Sequence, residues 1–64
     1  MAVTLIKILS DADDENRSGG KKRVLYGCEA ADVGDLPTTD ADFSIAYVNG
    51  GTNKVLIGGT WEDV

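Results

Sequence analysis

Acidic side chains near the N-terminus have the spacing that comes closest to a known ligand site. Asp11, Asp13 and Glu15 alternate in the way that the first oxygen ligands of an EF-hand calcium loop do. That loop also requires glycine at its sixth position and a bidentate glutamate at its twelfth, where this chain has Asn16 and Lys22. We therefore predict no metal site and interpret the segment as a solvated loop.

Catalytic side chains are scarce in this chain. It has no histidine and a single cysteine, Cys28, so no imidazole is available to activate the thiol. We expect Cys28 to be a small apolar core residue. The carboxylate pairs Asp32/Asp35 and Asp40/Asp42 fall in predicted turns, where aspartate is favoured because its side chain bonds the local backbone. We therefore predict that the protein is not an enzyme and uses no cofactor.

The four aromatic residues are the remaining candidates for binding. In so short a chain each ring is a large part of the available apolar area, so we expect the rings of Tyr26, Phe43, Tyr47 and Trp61 in the core. The alternative is a surface Trp61 that stacks on a glycan or docks on a protein. The candidate interaction residues are the aromatic Trp61, Tyr47 and Tyr26 and the basic Lys21, Lys22 and Arg23.

Five segments have the composition of β-strands and must position these side chains. Residues 3–9, VTLIKIL, are β-branched and apolar, which predicts a mostly buried strand. Residues 23–28, RVLYGC, have strand composition again, and the side chains of residues 43–49, FSIAYVN, alternate between two faces. Residues 54–58, KVLIG, and 60–64, TWEDV, complete the set.

The segments between the strands are rich in turn-forming residues. Residues 10–22, SDADDENRSGGKK, contain no apolar side chain larger than alanine, which predicts a mobile loop at the tip of a long hairpin. Residues 29–42 predict a connector with a turn or one helical turn that Pro37 terminates. The sequence NGGTN tolerates positive φ and predicts a β-hairpin over residues 43–57.

These elements predict an all-β fold in one small domain, residues 1–64. The expected arrangement is an antiparallel meander of four or five strands with one long exposed loop, and barrel-like and sandwich-like variants are the alternatives. Lys7, Lys54, Glu62 and Asp63 are candidates to block pairing at the open sheet edges. A domain of this size buries only about 60% of its unfolded surface, so we expect self-association or docking to add stability.

Charge limits the expected partners. The net charge is −5, and residues 29–64 hold seven of the eleven acidic residues but only one of the six basic ones. An acidic chain is a poor ligand for nucleic-acid phosphates, and the apolar run in residues 1–9 is far shorter than the roughly 20 residues of a membrane span. We therefore expect protein partners, with neither nucleic acid nor membrane. With no basic leader and no cysteine pair, secretion through a signal peptide is not expected.

Residues 29–64 resemble a group of short proteins from phages and prophages of Gram-positive bacteria. That group carries a segment like ADxxxLPT, a strand of the kind GSxAYV, a turn of Gly, Asn and Asp, a strand like KVYxY and a terminal Trp. Phe43 stands where glycine is usual in the group, and Leu56 where an aromatic residue is common. The matching residues are Ala31, Asp32, Leu36, Pro37, Thr38, Ser44, Ala46, Tyr47, Val48, Lys54, Val55 and Trp61.

The resemblance implies a structural or accessory protein of the phage virion, similar to a decoration protein of the head or a component of the tail. Its expected partners are copies of itself or a capsid or tail protein, and its expected location is the virion or the host cytoplasm. The main alternative is a carbohydrate or cell-surface binding module that uses Trp61 and the tyrosines. A regulator whose acidic surface mimics nucleic acid is a third hypothesis.

Overall fold

Five β-strands account for most of the regular structure in the computed structural model, which describes residues 3–64 apart from the side chain of Asp14. A short helix, α1 (Ala12–Arg17), lies between the first two strands, and a 3₁₀ helix (Ala30–Asp35) follows the second. The predicted all-β fold is confirmed; residues 1 and 2 of the predicted domain lie outside the described residues. The strands are β1 (Val3–Ile8), β2 (Val24–Glu29), β3 (Ile45–Asn49), β4 (Lys54–Ile57) and β5 (Thr60–Asp63).

The strands form one open, mixed sheet in the order β1-β2-β3-β4-β5. Three of the four ladders are antiparallel, including the predicted β3–β4 hairpin, but β2 and β3 run parallel. The prediction of a purely antiparallel meander was wrong at this one ladder. Residues 30–44, which join β2 to β3, exceed the dozen or so residues that a parallel crossover needs, so the chain returns to the starting end of β2.

The crossing connection covers one face of the sheet, which we call the crossover face. In β3 the buried side chains Ala46 and Val48 point to this face, whereas Tyr47 points to the other and is largely exposed. The small side chains of the alternating segment therefore face the core, because they leave room for the connection. The buried residues are Val24, Leu36, Ala41, Ser44, Ala46, Val48 and Leu56.

Ser44 fastens the connection to the sheet from inside the core. Its hydroxyl donates a hydrogen bond to the Ala41 carbonyl (2.7 Å) and accepts one from the Val24 amide (3.1 Å). Ser44 has no exposed surface, so water does not compete for either bond. Ser44 is the last residue of the connection, so its side chain fastens the connection to β2 just before β3 begins.

The first strand is far more exposed than its apolar sequence predicts. Leu5 and Ile6 are 52% and 54% exposed, and Ile8 and Leu9 are exposed as well. The prediction of a mostly buried strand was wrong because β1 lies at the edge of the sheet, where it has a neighbouring strand on one side only. An apolar run is thus left on the surface of the single chain.

The predicted aromatic core was also wrong. Phe43 and Tyr47 are 59% and 53% exposed, and Tyr26 and Trp61 are only partly buried. The core is aliphatic instead, because the connection lies close over β3 and leaves space there only for small side chains such as Ala46.

The prediction for residues 29–42 was confirmed, and the prediction for residues 10–22 was confirmed only in part. The 3₁₀ helix ends at Leu36, whose extended backbone (φ −64°, ψ 131°) precedes Pro37, so the predicted termination is confirmed. Residues 10–22 join two antiparallel strands as predicted, but they contain α1, whose first turn is closed by the Glu15 amide donating to the Asp11 carbonyl (3.0 Å). The mobility of this segment stays a prediction.

Phe43 has a backbone conformation that is unusual for a bulky residue. Its φ is +70°, in the left-handed region where a side chain crowds the backbone. Its amide donates to the Leu56 carbonyl (2.7 Å), which holds this conformation at the entry to β3. Glycine would adopt this φ without strain.

Candidate interaction surfaces

Tyr26 and Trp61 clamp the connection onto the crossover face. The Tyr26 hydroxyl donates to Asp40 Oδ2 (2.7 Å), and Trp61 Nε1 donates to the Pro37 carbonyl (2.8 Å). The two rings meet edge to face, with centroids 6.3 Å apart and planes at 71°. Both polar groups are therefore used within the fold, and the two rings pack against each other.

The Tyr26 hydroxyl is held in its protonated form. Burial, the hydrogen bond to Asp40 and the negative charge of that carboxylate together raise the pKa of Tyr26 to about 12, and burial has the largest effect. The hydroxyl thus remains a proton donor well into alkaline conditions, and its hydrogen bond to Asp40 is kept at neutral pH.

The three basic candidates lie on the same side of the molecule as this clamp. Lys21 and Lys22 line a shallow groove of about 470 Å³, together with Tyr26 and Asp40. Arg23 Nε donates to the Asp42 carbonyl (3.3 Å), so its guanidinium also contacts the connection. Five of the six predicted interaction residues therefore gather at the crossover face, and Tyr47 lies on the opposite face.

Cys28 is half-buried near the end of β2 rather than a core residue, so that prediction was wrong. Burial raises the pKa of its thiol, and the nearby carboxylates of Asp32 and Glu29 raise it further because they disfavour a thiolate. A thiol in this environment is a weak nucleophile.

The face opposite the connection carries a second set of apolar side chains, and we call it the open face. Leu25, Ile45 and Val55 are half-buried there, and Tyr47 and Ile57 are largely exposed. The alternation of residues 43–49 separates the two faces in the sequence, but both sets are apolar. The pattern alone therefore did not show which face the connection covers.

Ile6 joins the open face through a β-bulge in the edge strand. The register between β1 and β2 shifts between Leu5 and Lys7, which leaves Ile6 without an opposite residue. Its side chain lies over Gly27, where an added Cβ would approach Ile6 Cδ1 to 3.0 Å. A shallow groove of about 650 Å³ includes Ile6, Gly27 and Tyr47 in its lining.

One lateral row of the open face has charges at both ends. The strand register aligns Lys7 with Leu25, Leu25 with Ile45, Ile45 with Val55 and Val55 with Glu62. The row therefore runs from a lysine on one edge strand, across three aliphatic residues, to a glutamate on the other edge strand.

The four predicted edge charges fall into two groups. Lys54 and Asp63 are paired residues of β4 and β5, and they form an ion pair. Lys7 and Glu62 belong to the open face, and within residues 3–64 neither of them takes part in an ion pair. Two charges are thus left available for contacts outside the chain.

The part of the chain that the structure describes has neither a cluster of metal ligands nor a membrane-spanning helix. Its Cys, Asp and Glu side chains nowhere gather in groups of three or more that would hold a metal ion. No helix among residues 3–64 is long and apolar enough to span a lipid bilayer.

Comparison of the chain with protein-family models, curated proteins and solved structures finds no match.

Proposed function

We propose that this protein is a structural or accessory protein of the phage virion, that it acts through protein–protein contacts, and that the open face is its contact surface. The observation that carries the proposal is that the connection covers only one of the two apolar faces of the sheet. Leu25, Ile45, Tyr47, Val55 and Ile57 form an apolar surface on the face that the connection leaves uncovered.

A sheet with two apolar faces is normally covered on both. Stable domains pack such faces against a second layer, because each Å² of apolar surface removed from water contributes about 25 cal/mol. The crossing connection supplies that layer on one side only. A protein partner is the natural second layer for the other side, and contiguous exposed apolar patches are typical of contact sites.

The resemblance to phage proteins supports the virion assignment. Several of the matching residues hold the fold together: Leu36, Ser44 and Ala46 are buried, and the Pro37 carbonyl accepts the Trp61 indole hydrogen bond. These motif residues therefore define a scaffold, which leaves the open face to vary with the partner. A decoration-like role requires such a scaffold and no catalytic group.

The carbohydrate-binding alternative finds less support in the geometry. Trp61 and Tyr26 pack edge to face, and their polar groups bind Pro37 and Asp40. Stacking on a sugar needs an exposed ring face, and Tyr47 is the exposed member of the proposed set. It lies across the sheet from Trp61, so the two rings do not form one platform.

Co-sedimentation with purified capsids and tails of the phage that encodes the chain tests the proposal. We expect the wild-type protein to sediment with one of them, and Ile57→Lys to lose that binding because it places a charge on the open face. Thr39→Lys adds the same charge at an exposed site in the connection and is the matched control. A folded wild-type protein that remains a monomer and binds neither particle would contradict the proposal.

A further inference from the structure

We propose that the open face packs against the open face of a second copy of this chain, around a two-fold axis that runs along β3. The product is a two-layer β-sandwich in which Lys7 of each copy pairs with Glu62 of the other. This inference rests on the proposed function, because it names the first partner of the same surface.

The basis of this arrangement is the lateral row Lys7, Leu25, Ile45, Val55 and Glu62. Rotation about a two-fold axis parallel to the central strand β3 leaves each residue at the same height along the strands. It exchanges the β1 edge of the sheet with the β5 edge. The edge strand β1 of one copy then lies over β5 of the other. Opposite charges meet at both ends of the row, and aliphatic side chains meet between them.

The other simple two-fold arrangement is unfavourable. This second axis also lies between the two sheets, but it runs perpendicular to the strands and parallel to the lateral row. It places β1 of one copy over β1 of the other, and β5 over β5. Lys7 would then face a second Lys7, and Glu62 a second Glu62. Like charges in direct opposition destabilise an interface, so the charge pattern selects the axis along the strands.

The distances suit such a dimer. Stacked sheets lie about 10 Å apart, a gap that a lysine and a glutamate side chain together span. Neither Lys7 nor Glu62 has an ion-pair partner within residues 3–64, so no existing contact opposes the new one. Tyr47 lies on β3, close to the proposed axis, where its largely exposed ring would be covered by the second copy.

Pairing through the sheet edges is the competing arrangement, and features of both edges oppose it. The bulge at Ile6 interrupts the regular ladder of β1 at one edge. The short β5 at the other edge carries Glu62 and Asp63, so two copies of it would place acidic residues side by side. The open face has neither obstacle.

The sheet is small, so the dimer should be weak. Five strands about 4.8 Å apart give a face roughly 20 Å wide, which places the interface near the lower limit of about 1,200 Å² for specific complexes. We therefore expect an equilibrium between monomer and dimer that depends on concentration.

Sedimentation velocity of charge-reversal variants tests the proposed pairing. We expect Lys7→Glu and Glu62→Lys each to raise the dimer dissociation constant at least about 10-fold, because each places like charges at both ends of the row. The double variant should restore dimerisation to near the wild-type level. An equimolar mixture of the two single variants should form a heterodimer, since both of its end pairs are then opposite in sign.

Asp13→Lys is the matched control, because it changes the net charge as Glu62→Lys does but lies at an exposed position in α1. It should dimerise like the wild type, and mixing it with Lys7→Glu should not restore tight association. Far-ultraviolet circular dichroism of each variant establishes that the exposed substitutions leave the fold intact.

Two results would overturn this inference. A dimer that is equally strong in every variant means that the copies meet elsewhere, with edge pairing the first arrangement to consider. A wild-type protein that stays monomeric at all concentrations also overturns it, but co-sedimentation with capsids or tails that is lost in Ile57→Lys would leave the proposed function standing.

Discussion

At the scale of single residues, the fold depends on a few polar contacts made where the connection meets the sheet. Ser44, Tyr26 and Trp61 each bind a residue of the connection. These side chains are spaced along the sequence with no local motif, and their partners are set by the path of residues 36–42. Sequence reasoning therefore identified Tyr26 and Trp61 as notable but did not show which residues of the connection they bind.

Replacing Ser44 tests the internal hydrogen bonds of the core. In Ser44→Ala the Val24 amide loses its buried acceptor, so we expect the free energy of unfolding to fall by about 2 kcal/mol. Urea denaturation measures the change. Thr52→Ala, at an exposed position in the β3–β4 turn, is the control and should stay within about 0.5 kcal/mol of the wild type. An equal effect of both substitutions would contradict the role given to Ser44.

The Tyr26 clamp should be sensitive to alkaline pH. A pKa raised to about 12 in the folded protein, above the ordinary value near 10, means that the native state keeps a proton that the unfolded state loses first. This contribution to stability is complete below about pH 10 and is lost as the pH rises through about 12.

Denaturation measured at a series of alkaline pH values checks this expectation. The free energy of unfolding should decline across that interval in the wild type and less steeply in Tyr26→Phe, which has no hydroxyl proton to lose. Identical slopes for the two proteins would show that another group is responsible.

At the scale of elements, strand existence was easier to predict than strand placement. The alternating residues 43–49 and the NGGTN turn specify the β3–β4 hairpin locally, and that prediction was confirmed. The burial of β1 was not predictable from its apolar run, because it depends on its place at the sheet edge. The parallel β2–β3 ladder depends on the path of residues 30–44, which no short-range pattern encodes.

The entry to β3 offers a test of backbone strain. Phe43 has φ +70° and is 59% exposed, so Phe43→Gly relieves strain and loses little buried surface. We expect it to raise the free energy of unfolding by about 1 kcal/mol. Phe43→Ala is the control, because it shortens the side chain but keeps the unfavourable φ, and it should give no gain. A loss of stability in Phe43→Gly would mean that the ring contributes more than the strain costs.

At the scale of the whole molecule, the central feature is that the connection covers one face of the sheet and leaves the other exposed. The crossover face is packed with aliphatic side chains and fastened by hydrogen bonds, whereas the open face presents apolar residues between a lysine and a glutamate. Composition predicts that so small a domain associates, and the open face that we propose for this contact could be identified only from the path of the connection on one side of the sheet.

Methyl NMR on a dilution series is the most direct test of the open face as the contact surface. If the open face is the contact surface, the methyl shifts of Leu25, Ile45 and Val55 should depend on concentration, and those of Val24 and Leu56, which lie in the core under the connection, should stay constant. Shifts that instead move on the crossover face, or that stay constant in the open face while the protein dimerises, would contradict this role of the open face.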